Sequence, residues 1–367
     1  NIASAADNSA SKAFTDVTKQ VGLTGFSRGT ANWIDFNNDG YVDLYSSGQL
    51  WRNMKGKRFE RVNDVPLAGW GTWADYDNDG YIDMYSSANG GSLFHNDKGK
   101  NFTLVKDAIP KLPTTVSLGA AWFDMDNDGL LDLYVGGYEV WGKGNYPDVM
   151  LHNEGDGTFK QVWQSPGKPQ PARGITAADY DEDGDMDVYV SNYRMVQNYL
   201  WNNNGKGEFT NVGIEAGVAG TRTLGAYGHT IGSAWGDFDN DGHLDLFVGN
   251  FSHPPSYQDR PRFLQNLGPT GKWHFKDVSA DAGLHWQESF ASPALADFDN
   301  DGLIDLFFTT VYSGDSSVLY RNKGDWRFQN VTSETDIKSQ KTYQGAWGDF
   351  NNDGYPDLVT DGKLYQN

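Results

Sequence analysis

Strand-like segments recur along this chain in one fixed order, at intervals of 40 to 60 residues. Each repeat opens with a run of small and aromatic residues, such as residues 232–236 (GSAWG). After an acidic loop it continues with an alternating run, such as residues 244–248 (LDLFV). A Leu-aromatic-x-Asn segment and a Phe-x-x-Val segment complete it. Apolar alternation with period two is typical of β-strands. The pattern therefore predicts four strands, A to D, in every repeat.

The acidic loop between strands A and B occurs seven times, starting at residues 35, 75, 124, 179, 237, 297 and 349. Repeats of this length with four strands each are typical of propeller blades. The chain reaches Asn367 after strand C of the seventh repeat, and a strand D segment stands instead at residues 14–17 (FTDV). We therefore predict an all-β fold, a seven-bladed β-propeller of four-stranded blades closed by an N-terminal strand that completes the last blade. An open stack of repeats would leave that strand unpaired.

The predicted propeller occupies residues 13–367 as one domain, preceded by an N-terminal tail at residues 1–12. The chain begins at Asn1 and not at methionine, so we expect a mature or trimmed terminus. Its 44 glycines and 14% aromatic residues suit strands and turns. The absence of cysteine excludes disulfides and thiolate chemistry, and the absence of an apolar run of 18 residues predicts no transmembrane segment.

Charge is distributed unevenly along the sequence. The formal net charge of −20 disfavours nucleic acids and anionic membranes as partners, because both require a basic face. However, 26 of the 49 acidic residues fall at positions 1, 3, 5 and 9 of the seven loops, which leaves 23 acids against 29 basic residues elsewhere. Outside the loops the chain is mildly basic, so an acidic glycan remains a reasonable ligand for the face opposite the loops.

The loop pattern D-x-[DN]-x-D-G-x-x-D places side-chain oxygens at positions 1, 3, 5 and 9 and a backbone carbonyl at position 7, and Gly at position 6 permits a left-handed turn. Hard oxygen ligands at this spacing suit Ca²⁺, and carboxylates this close repel one another without a cation. Position 12 carries no Glu and the loop joins two strands, so it is not an EF-hand. Asn-Asp-Gly alone is a favourable turn, which could account for one loop but not for seven in register.

We therefore predict up to seven Ca²⁺ ions, one per blade. If one or two loops are empty, we expect them to be the first and the seventh, in which Asn37 and Asn351 replace a carboxylate at position 3. The predicted ligands are Asp35, Asn37, Asp39, Tyr41, Asp43, Asp75, Asp77, Asp79, Tyr81, Asp83, Asp124, Asp126, Asp128, Leu130, Asp132, Asp179, Asp181, Asp183, Asp185, Asp187, Asp237, Asp239, Asp241, His243, Asp245, Asp297, Asp299, Asp301, Leu303, Asp305, Asp349, Asn351, Asp353, Tyr355 and Asp357.

These repeats resemble the FG-GAP or VCBS repeats of integrin α-subunit propellers. Residues 228–242 (GHTIGSAWGDFDNDG) are similar to the propeller of the ASPIC/UnbV and cartilage acidic protein family. The resemblance covers essentially the whole chain and implies a calcium-binding propeller. The broad group includes adhesion receptors, lectins and lyases, mostly outside the cell, so it implies an extracellular, secreted or periplasmic location and leaves the ligand and the oligomeric state open.

Strand parity places the B–C and D–A loops on the face opposite the acidic loops, and nearly all length variation falls in them. Long loops on a rigid scaffold usually carry binding residues. Aromatic rings and guanidinium groups suit sugars, peptides and carboxylates, which makes these loop residues ligand-binding candidates: Trp141, Tyr146, Arg173, Tyr193, Arg194, Arg222, Arg262 and Trp286. Alternatively, loop aromatics such as these pack beneath their own loops. His95, His152 and His274 fall near strands C or D, and we expect them to be incidental.

Two functions are the main candidates on these features, and a third stays open. The first is a non-catalytic recognition module for a glycan or an extracellular protein, similar to a lectin or an adhesion protein, and the absence of a specific catalytic motif favours it. The second is a polysaccharide lyase acting by β-elimination on a uronate-containing glycan, which needs an acid and a base. Its candidates are Tyr227, His229, His253, Tyr257 and Arg260. A paired-carboxylate hydrolase stays open through Glu139, Glu215, Asp259 and Glu288.

Overall fold

The computed structural model describes residues 13–26, 30–113, 116–222, 225–251, 260–285, 287 and 289–367. The predicted site residues His253, Tyr257 and Trp286, and the uncommitted acids Asp259 and Glu288, lie outside these residues.

Seven four-stranded antiparallel sheets make up the described chain, and each contains the four strands predicted for one repeat. We number these blades I to VII in chain order. The strands are β1 Thr15–Asp16, β2 Asn32–Ile34, β3 Asp43–Ser46, β4 Gln49–Asn53, β5 Phe59–Val62, β6 Gly71–Ala74, β7 Asp83–Ser86, β8 Ser92–Asn96, β9 Phe102–Val105, β10 Ala120–Phe123, β11 Asp132–Val135, β12 Glu139–Val140, β13 Gly144–Asn145, β14 Val149–Asn153, β15 Phe159–Gln164, β16 Ala172–Ala178, β17 Asp187–Asn192, β18 Tyr199–Asn203, β19 Phe209–Asn211, β20 His229–Gly236, β21 Asp245–Phe251, β22 Arg262–Asn266, β23 Phe275–Asp277, β24 Phe290–Ala296, β25 Asp305–Thr310, β26 Val318–Asn322, β27 Phe328–Asn330, β28 Gly345–Gly348, β29 Asp357–Thr360 and β30 Lys363–Gln366.

The ring closes as predicted, through β1. This strand pairs antiparallel with β30, with Thr15 opposite Gln366 and Asp16 opposite Tyr365. Beyond it, Val17 N–H donates to the carbonyl of Leu364 at 3.0 Å. Blade VII therefore has the strand order β28-β29-β30-β1, and the prediction of a seven-bladed propeller is confirmed.

Helix is scarce in the described residues. It comprises one short α-helix, α1 Gly213–Ala216, and three 3₁₀ turns at Ala88–Gly90, Pro269–Gly271 and Thr332–Glu334. None of these helices is long and apolar enough to cross a membrane. A two-stranded hairpin, β12–β13, extends the B–C connection of blade III.

The hydrophobic core lies between adjacent blades. Strand B of each blade is buried along its whole length, as in β3, β7 and β11, because both of its faces pack against a neighbouring sheet. A fully buried tyrosine recurs in strand B, and the hydroxyl of Tyr45 donates to the carbonyl of Gly69 at 2.7 Å. The A strands of successive blades contact one another, β16 with β20 and β20 with β24, so strand A is the innermost strand of each blade.

A central cavity of about 540 Å³ lies among the A strands, toward the ends at which the D–A loops enter. All seven blades contribute to its wall, from Trp33 in blade I to Gly345 in blade VII. The acidic loops join the opposite ends of the A strands to strand B. The architecture therefore separates an acidic end of the ring from a second end formed by the B–C and D–A loops, which we call the channel face.

Candidate functional sites at the two ends of the propeller

Backbone hydrogen bonds fix the shape of the acidic loops, and blade II is representative. Asp75, at position 1, accepts the N–H groups of Asp79 at 3.0 Å and Gly80 at 2.8 Å, and Asp79 accepts that of Tyr81 at 2.9 Å. Gly80 has φ of +89°, and Asn78, at position 4, has +57°. Both positions need the left-handed region that glycine and asparagine tolerate best.

The aspartate at position 9 is buried in every blade. Asp83, which is 0% exposed, accepts N–H groups from Tyr76 at 3.3 Å and Asn96 at 2.7 Å. Burial raises its pKa to about 7, and the nearby Asp77 carboxylate adds to the rise. The pKa of the corresponding aspartates reaches from about 6 at Asp132 to about 8 at Asp187 and Asp245, again through burial. A buried carboxylate is stabilised in its charged form by a cation or by hydrogen bonds.

Position 3 shows where such a cation fits. In blades III to VI, one carboxylate oxygen at this position is buried and accepts no hydrogen bond, namely Oδ1 of Asp126, Asp181, Asp239 and Asp299. In blades I, II and VII, the corresponding oxygen accepts the N–H of position 5. Ligand atoms of Asp124, Asp126 and Asp128 lie within 4.8 Å of one another. Carboxylate oxygens in this arrangement can hold a hard divalent cation.

The residue before the last asparagine of strand C also reaches the loop, which the sequence reasoning missed. His95 Nδ1 lies 3.2 Å from Asp77 Oδ2, and His152 Nδ1 lies 3.1 Å from Asp132 Oδ1. In blade VI, Arg321 is paired with Asp299 at 2.6 Å. His95 and His152 thus contact the acidic loops, while the expectation that they are incidental to function stays a prediction. The alternation of side chains along strand C could have indicated this contact, because this residue and the buried asparagine beside it point to opposite faces of the sheet.

That asparagine links each blade to the one before it. Asn96 Nδ2 of blade II donates to the carbonyl of Phe36 in the blade I loop at 2.8 Å. The equivalent bonds start from Asn53, Asn153, Asn203, Asn266, Asn322 and Asn367. The bond from Asn53 to Phe350 joins blade I to blade VII. We call these seven residues the strand C asparagines.

On the channel face, the structure brings together some of the predicted ligand-binding residues. The Arg173 guanidinium stands over the ring of Tyr193 at 4.7 Å and over that of Tyr343 at 5.1 Å. Arg194 also stacks on Tyr193, at 5.1 Å, and pairs with Glu139 through two nitrogens. Its pKa is raised, chiefly by the hydrogen bond to Glu139. Arg194 is therefore neutralised by a carboxylate, whereas Arg173 is held by aromatic rings.

Two neighbouring residues complete this cluster. The ring of His229 lies 4.7 Å from that of Tyr193, and His229 is 8% exposed. Burial raises the pKa of the Tyr138 phenol, and the charge of Arg173 acts in the opposite direction. Tyr343 was not among the sequence candidates. It faces Arg173 from blade VII, and residue spacing alone gives no sign of a contact between blades IV and VII.

The other candidates lie apart from this cluster. Trp141 is at the turn of the β12–β13 hairpin and is 87% exposed, and Tyr146 N–H donates to the carbonyl of Tyr138 at 3.1 Å. Arg222 stands over Tyr227 at 5.8 Å. Arg262 pairs with Asp277 and donates to Thr221 Oγ1 at 2.8 Å.

A second cavity, of about 290 Å³, includes Arg260, Arg262 and His285 in its wall. Its described lining does not include Tyr227 or His229. The residues named for the lyase hypothesis therefore do not surround one cavity within the described part of the chain.

Together, the fold and the loops define a seven-bladed repeat propeller with one acidic loop in every blade. A sequence profile of FG-GAP-like repeats matches residues 75–135, 140–190, 181–248 and 297–360. The matched segments span more than half of the chain, which belongs to the FG-GAP-like repeat family.

Curated relatives agree with this assignment. Cartilage acidic protein 1 is 26% identical over 200 residues in Mus musculus, 27% over 198 in Homo sapiens and 28% over 203 in Xenopus tropicalis. Each alignment covers 51% of this chain but only 27% to 28% of the relative. The aligned region thus spans just over a quarter of the length of these relatives.

Solved structures share the fold at low sequence identity. BBS1N, solved in complex with ARL6DN, superposes with a TM-score of 0.55 at 12% identity, covering 93% of this chain and 92% of that chain. The extracellular domain of the hybrid two-component system BT3049 from B. thetaiotaomicron gives 0.52 at 12% identity, covering 92% and 40%. At this identity the likeness concerns the fold alone.

Proposed function

We propose that this chain is a calcium-stabilised recognition module that works outside the cytoplasm, secreted or periplasmic, and binds a glycan or an extracellular protein through its channel face. The observation that carries the proposal is the separation of chemistry between the two ends of the ring. The carboxylates of the seven loops lie at one end. The cavity at the other end has no acidic residue in its described lining and one arginine. Such a separation suits a structural cation at one end and a ligand at the other.

The calcium part of the proposal rests on the donor set. Position 3 offers a buried oxygen with no hydrogen-bond partner in four loops, and position 9 offers a fully buried carboxylate in every loop. Calcium bound to these residues supplies the positive charge that offsets carboxylate repulsion. The residues themselves shape the loop through position 1 and connect it to strand C through position 9. Extracellular modules bind Ca²⁺ with dissociation constants of about 10⁻⁴–10⁻³ M, which fits a protein working where calcium is abundant.

The recognition part can be tested with the calcium-loaded protein on an array of glycans, with bound calcium measured by elemental analysis. We expect specific binding that weakens when the exposed Trp141 of the channel face is replaced by alanine. Tyr355, 47% exposed at position 7 in the loop of blade VII, is the matched control, because Tyr355→Ala removes an exposed ring from the acidic end and keeps the backbone carbonyl predicted to bind calcium. Equal losses in both variants would contradict a ligand on the channel face. An absence of calcium would contradict the structural role of the loops.

The lyase alternative has one observation in its favour, the contact of Arg173 with Tyr193 and of Tyr193 with His229. β-Elimination removes the C5 proton of a uronate, breaks the C4–O bond and forms a C4–C5 double bond. It therefore needs a base for the C5 proton, an acid that protonates the departing C4 oxygen, and a cation at the carboxylate. His229 is 8% exposed and packs against Tyr193, so it is poorly placed to reach a substrate. We therefore favour binding without cleavage. A rise in absorbance from unsaturated uronate, abolished in His229→Ala, would reverse this preference.

A further inference from the structure

The electrostatics of the central cavity specify the kind of ligand, if the recognition function proposed above holds. In a chain of net charge −20, the described lining of this cavity contains no Asp or Glu. Arg173 is its one charged residue. A cavity with low-dielectric walls concentrates the field of such a charge. The opening of the central cavity at the channel face, which we call the channel mouth, therefore attracts an anion, although the molecule as a whole is acidic.

Arg173 is held in place without being neutralised. It projects from β16 of blade IV and stacks on Tyr193 of the same blade and on Tyr343, which precedes β28 of blade VII. Blades IV and VII are not neighbours in a seven-membered ring, so the guanidinium reaches across the mouth. Stacking uses the faces of the guanidinium and leaves its N–H edge available. Within the described residues this group donates no hydrogen bond, in contrast to Arg194, which is engaged by Glu139.

The walls around Arg173 suit a sugar. Trp70, at the cavity wall, is 44% exposed, and Tyr343 is 48% exposed, so both present ring surface to solvent. Flat apolar rings stack on the faces of sugar rings, and the hydroxyls of Thr30 and Ser292 in the same wall can hydrogen-bond to sugar hydroxyls. The cavity volume of about 540 Å³ lies within the range of small-ligand sites, about 300–1,000 Å³.

We propose that the channel mouth binds the carboxylate of a uronate residue, at the end or on a side branch of an acidic glycan, through the N–H edge of Arg173. A planar carboxylate matches the guanidinium fork with two parallel hydrogen bonds. The ring of the uronate and that of the sugar linked to it contact Trp70 and Tyr343. The site lies at the opposite end of the ring from the acidic loops, so the ligand does not compete with the cations there.

Titration calorimetry of the calcium-loaded protein with trigalacturonate, and with its fully methyl-esterified form, tests the carboxylate. We expect the ester to bind at least about tenfold more weakly, because a hydrogen bond to a charged group is lost. Arg173→Gln is expected to weaken trigalacturonate binding by a similar factor, and Arg173→Lys by less. Arg61→Gln is the control, since it removes the same charge from an exposed residue of β5 that does not line the cavity.

Equal affinity for trigalacturonate and its ester, unchanged binding in Arg173→Gln, or no binding of trigalacturonate by the wild type would overturn the proposal. If Arg173→Gln does not fold, Trp70→Ala, which alters a partly exposed side chain, replaces it. A protein that binds neutral glycans on the array but not trigalacturonate contradicts the uronate site and leaves the recognition function standing. A protein that binds no glycan contradicts the carbohydrate form of that function as well.

Discussion

Replacing Asn96 by alanine is expected to destabilise the propeller strongly, because this strand C asparagine is fully buried at the interface of blades I and II. Its Nδ2 donates to the carbonyls of Phe36 at 2.8 Å and Ile82 at 3.0 Å, and its Oδ1 accepts the N–H of Gly99 at 2.8 Å. Alanine removes all three bonds and leaves two carbonyls and one N–H without these partners.

The magnitude follows from the burial of those groups. A buried backbone group without a partner costs about 1–3 kcal/mol. Two such groups and the partly buried carbonyl of Ile82, relieved in part by relaxation or an entering water molecule, give a loss of roughly 2–6 kcal/mol in the free energy of unfolding. Asn38→Gly at the same interface is the matched control, since Asn38 makes one exposed bond, to the carbonyl of Gly80 at 2.7 Å, and has φ of +55°, which glycine adopts without strain. We expect it to cost less than about 1 kcal/mol, because water can replace an exposed bond.

Urea unfolding at fixed calcium concentration, followed by tryptophan fluorescence, measures both variants. The comparison is valid when the slope of the free energy against urea is unchanged, so that the shift in midpoint reports stability. A loss below about 1 kcal/mol in Asn96→Ala, or equal losses in Asn96→Ala and Asn38→Gly, would refute the reasoning that buried inter-blade bonds hold the ring together.

Further expectations concern the cations, the buried carboxylate of Asp148, and the channel face. EDTA should lower the melting temperature by on the order of 10–20 °C, since each cation site at 100 times its dissociation constant contributes about 2.7 kcal/mol; an unchanged melting curve would exclude structural calcium. Burial raises the pKa of Asp148 from 3.8 to about 7. The folded state thus retains this proton longer than the unfolded state, so its contribution to stability is complete below about pH 4 and is lost as pH rises toward 7; Asp148→Asn should remove this slope from the pH profile of stability, and parallel profiles would contradict it. Trp141→Ala should leave the melting temperature unchanged, because the side chain is 87% exposed; a clear drop in calorimetry would show that the indole packs against the protein. Arg194→Ala should cost less than about 1 kcal/mol, as is usual for exposed ion pairs, but should speed proteolysis of the β12–β13 hairpin, which Arg194 contacts through Glu139 of β12; an unchanged cleavage rate would show that the hairpin is held by other contacts.

The sequence predicted the fold through repetition. Seven acidic loops with strand-like segments in constant order fix the number of blades, and the segment at residues 14–17 predicts the closure that β1 and β30 form. Strand parity also predicted which loops share a face. These inferences succeed because each rests on a regular pattern in the sequence. The number of blades rests on the repeat along the chain, and the faces of the loops rest on the alternation of strand directions.

Contacts between distant blades could not be predicted in this way. Nothing in the spacing of Arg173 and Tyr343 indicates that they stack, because their contact depends on the diameter of the ring and on the side-chain rotamers at its mouth. Similarly, Arg262 is a reasonable ligand-binding residue by type and position, but in the structure it forms an ion pair with Asp277. For such residues the sequence gives the chemistry of the side chain, and only the structure gives its partner.

The acidic loops are hydrogen-bonded to one another as well as to the core. Two interfaces, between blades III and IV and between blades IV and V, depart from the common pattern of these bonds. Asparagine at position 4 donates to the position 6 carbonyl of the next loop in five interfaces, closing with the bond from blade VII to blade I. In blade IV, position 7 is Asp185, and the preceding Asn127 donates to its carboxylate at 2.7 Å. Position 4 of blade IV is Glu182, which cannot donate, and position 7 of blade V is accordingly His243, whose Nδ1 meets Glu182 at 2.6 Å. A residue that breaks the pattern is thus matched by its neighbour across the interface. The loops form one continuous ring, in which the geometry of each loop depends on the loop beside it.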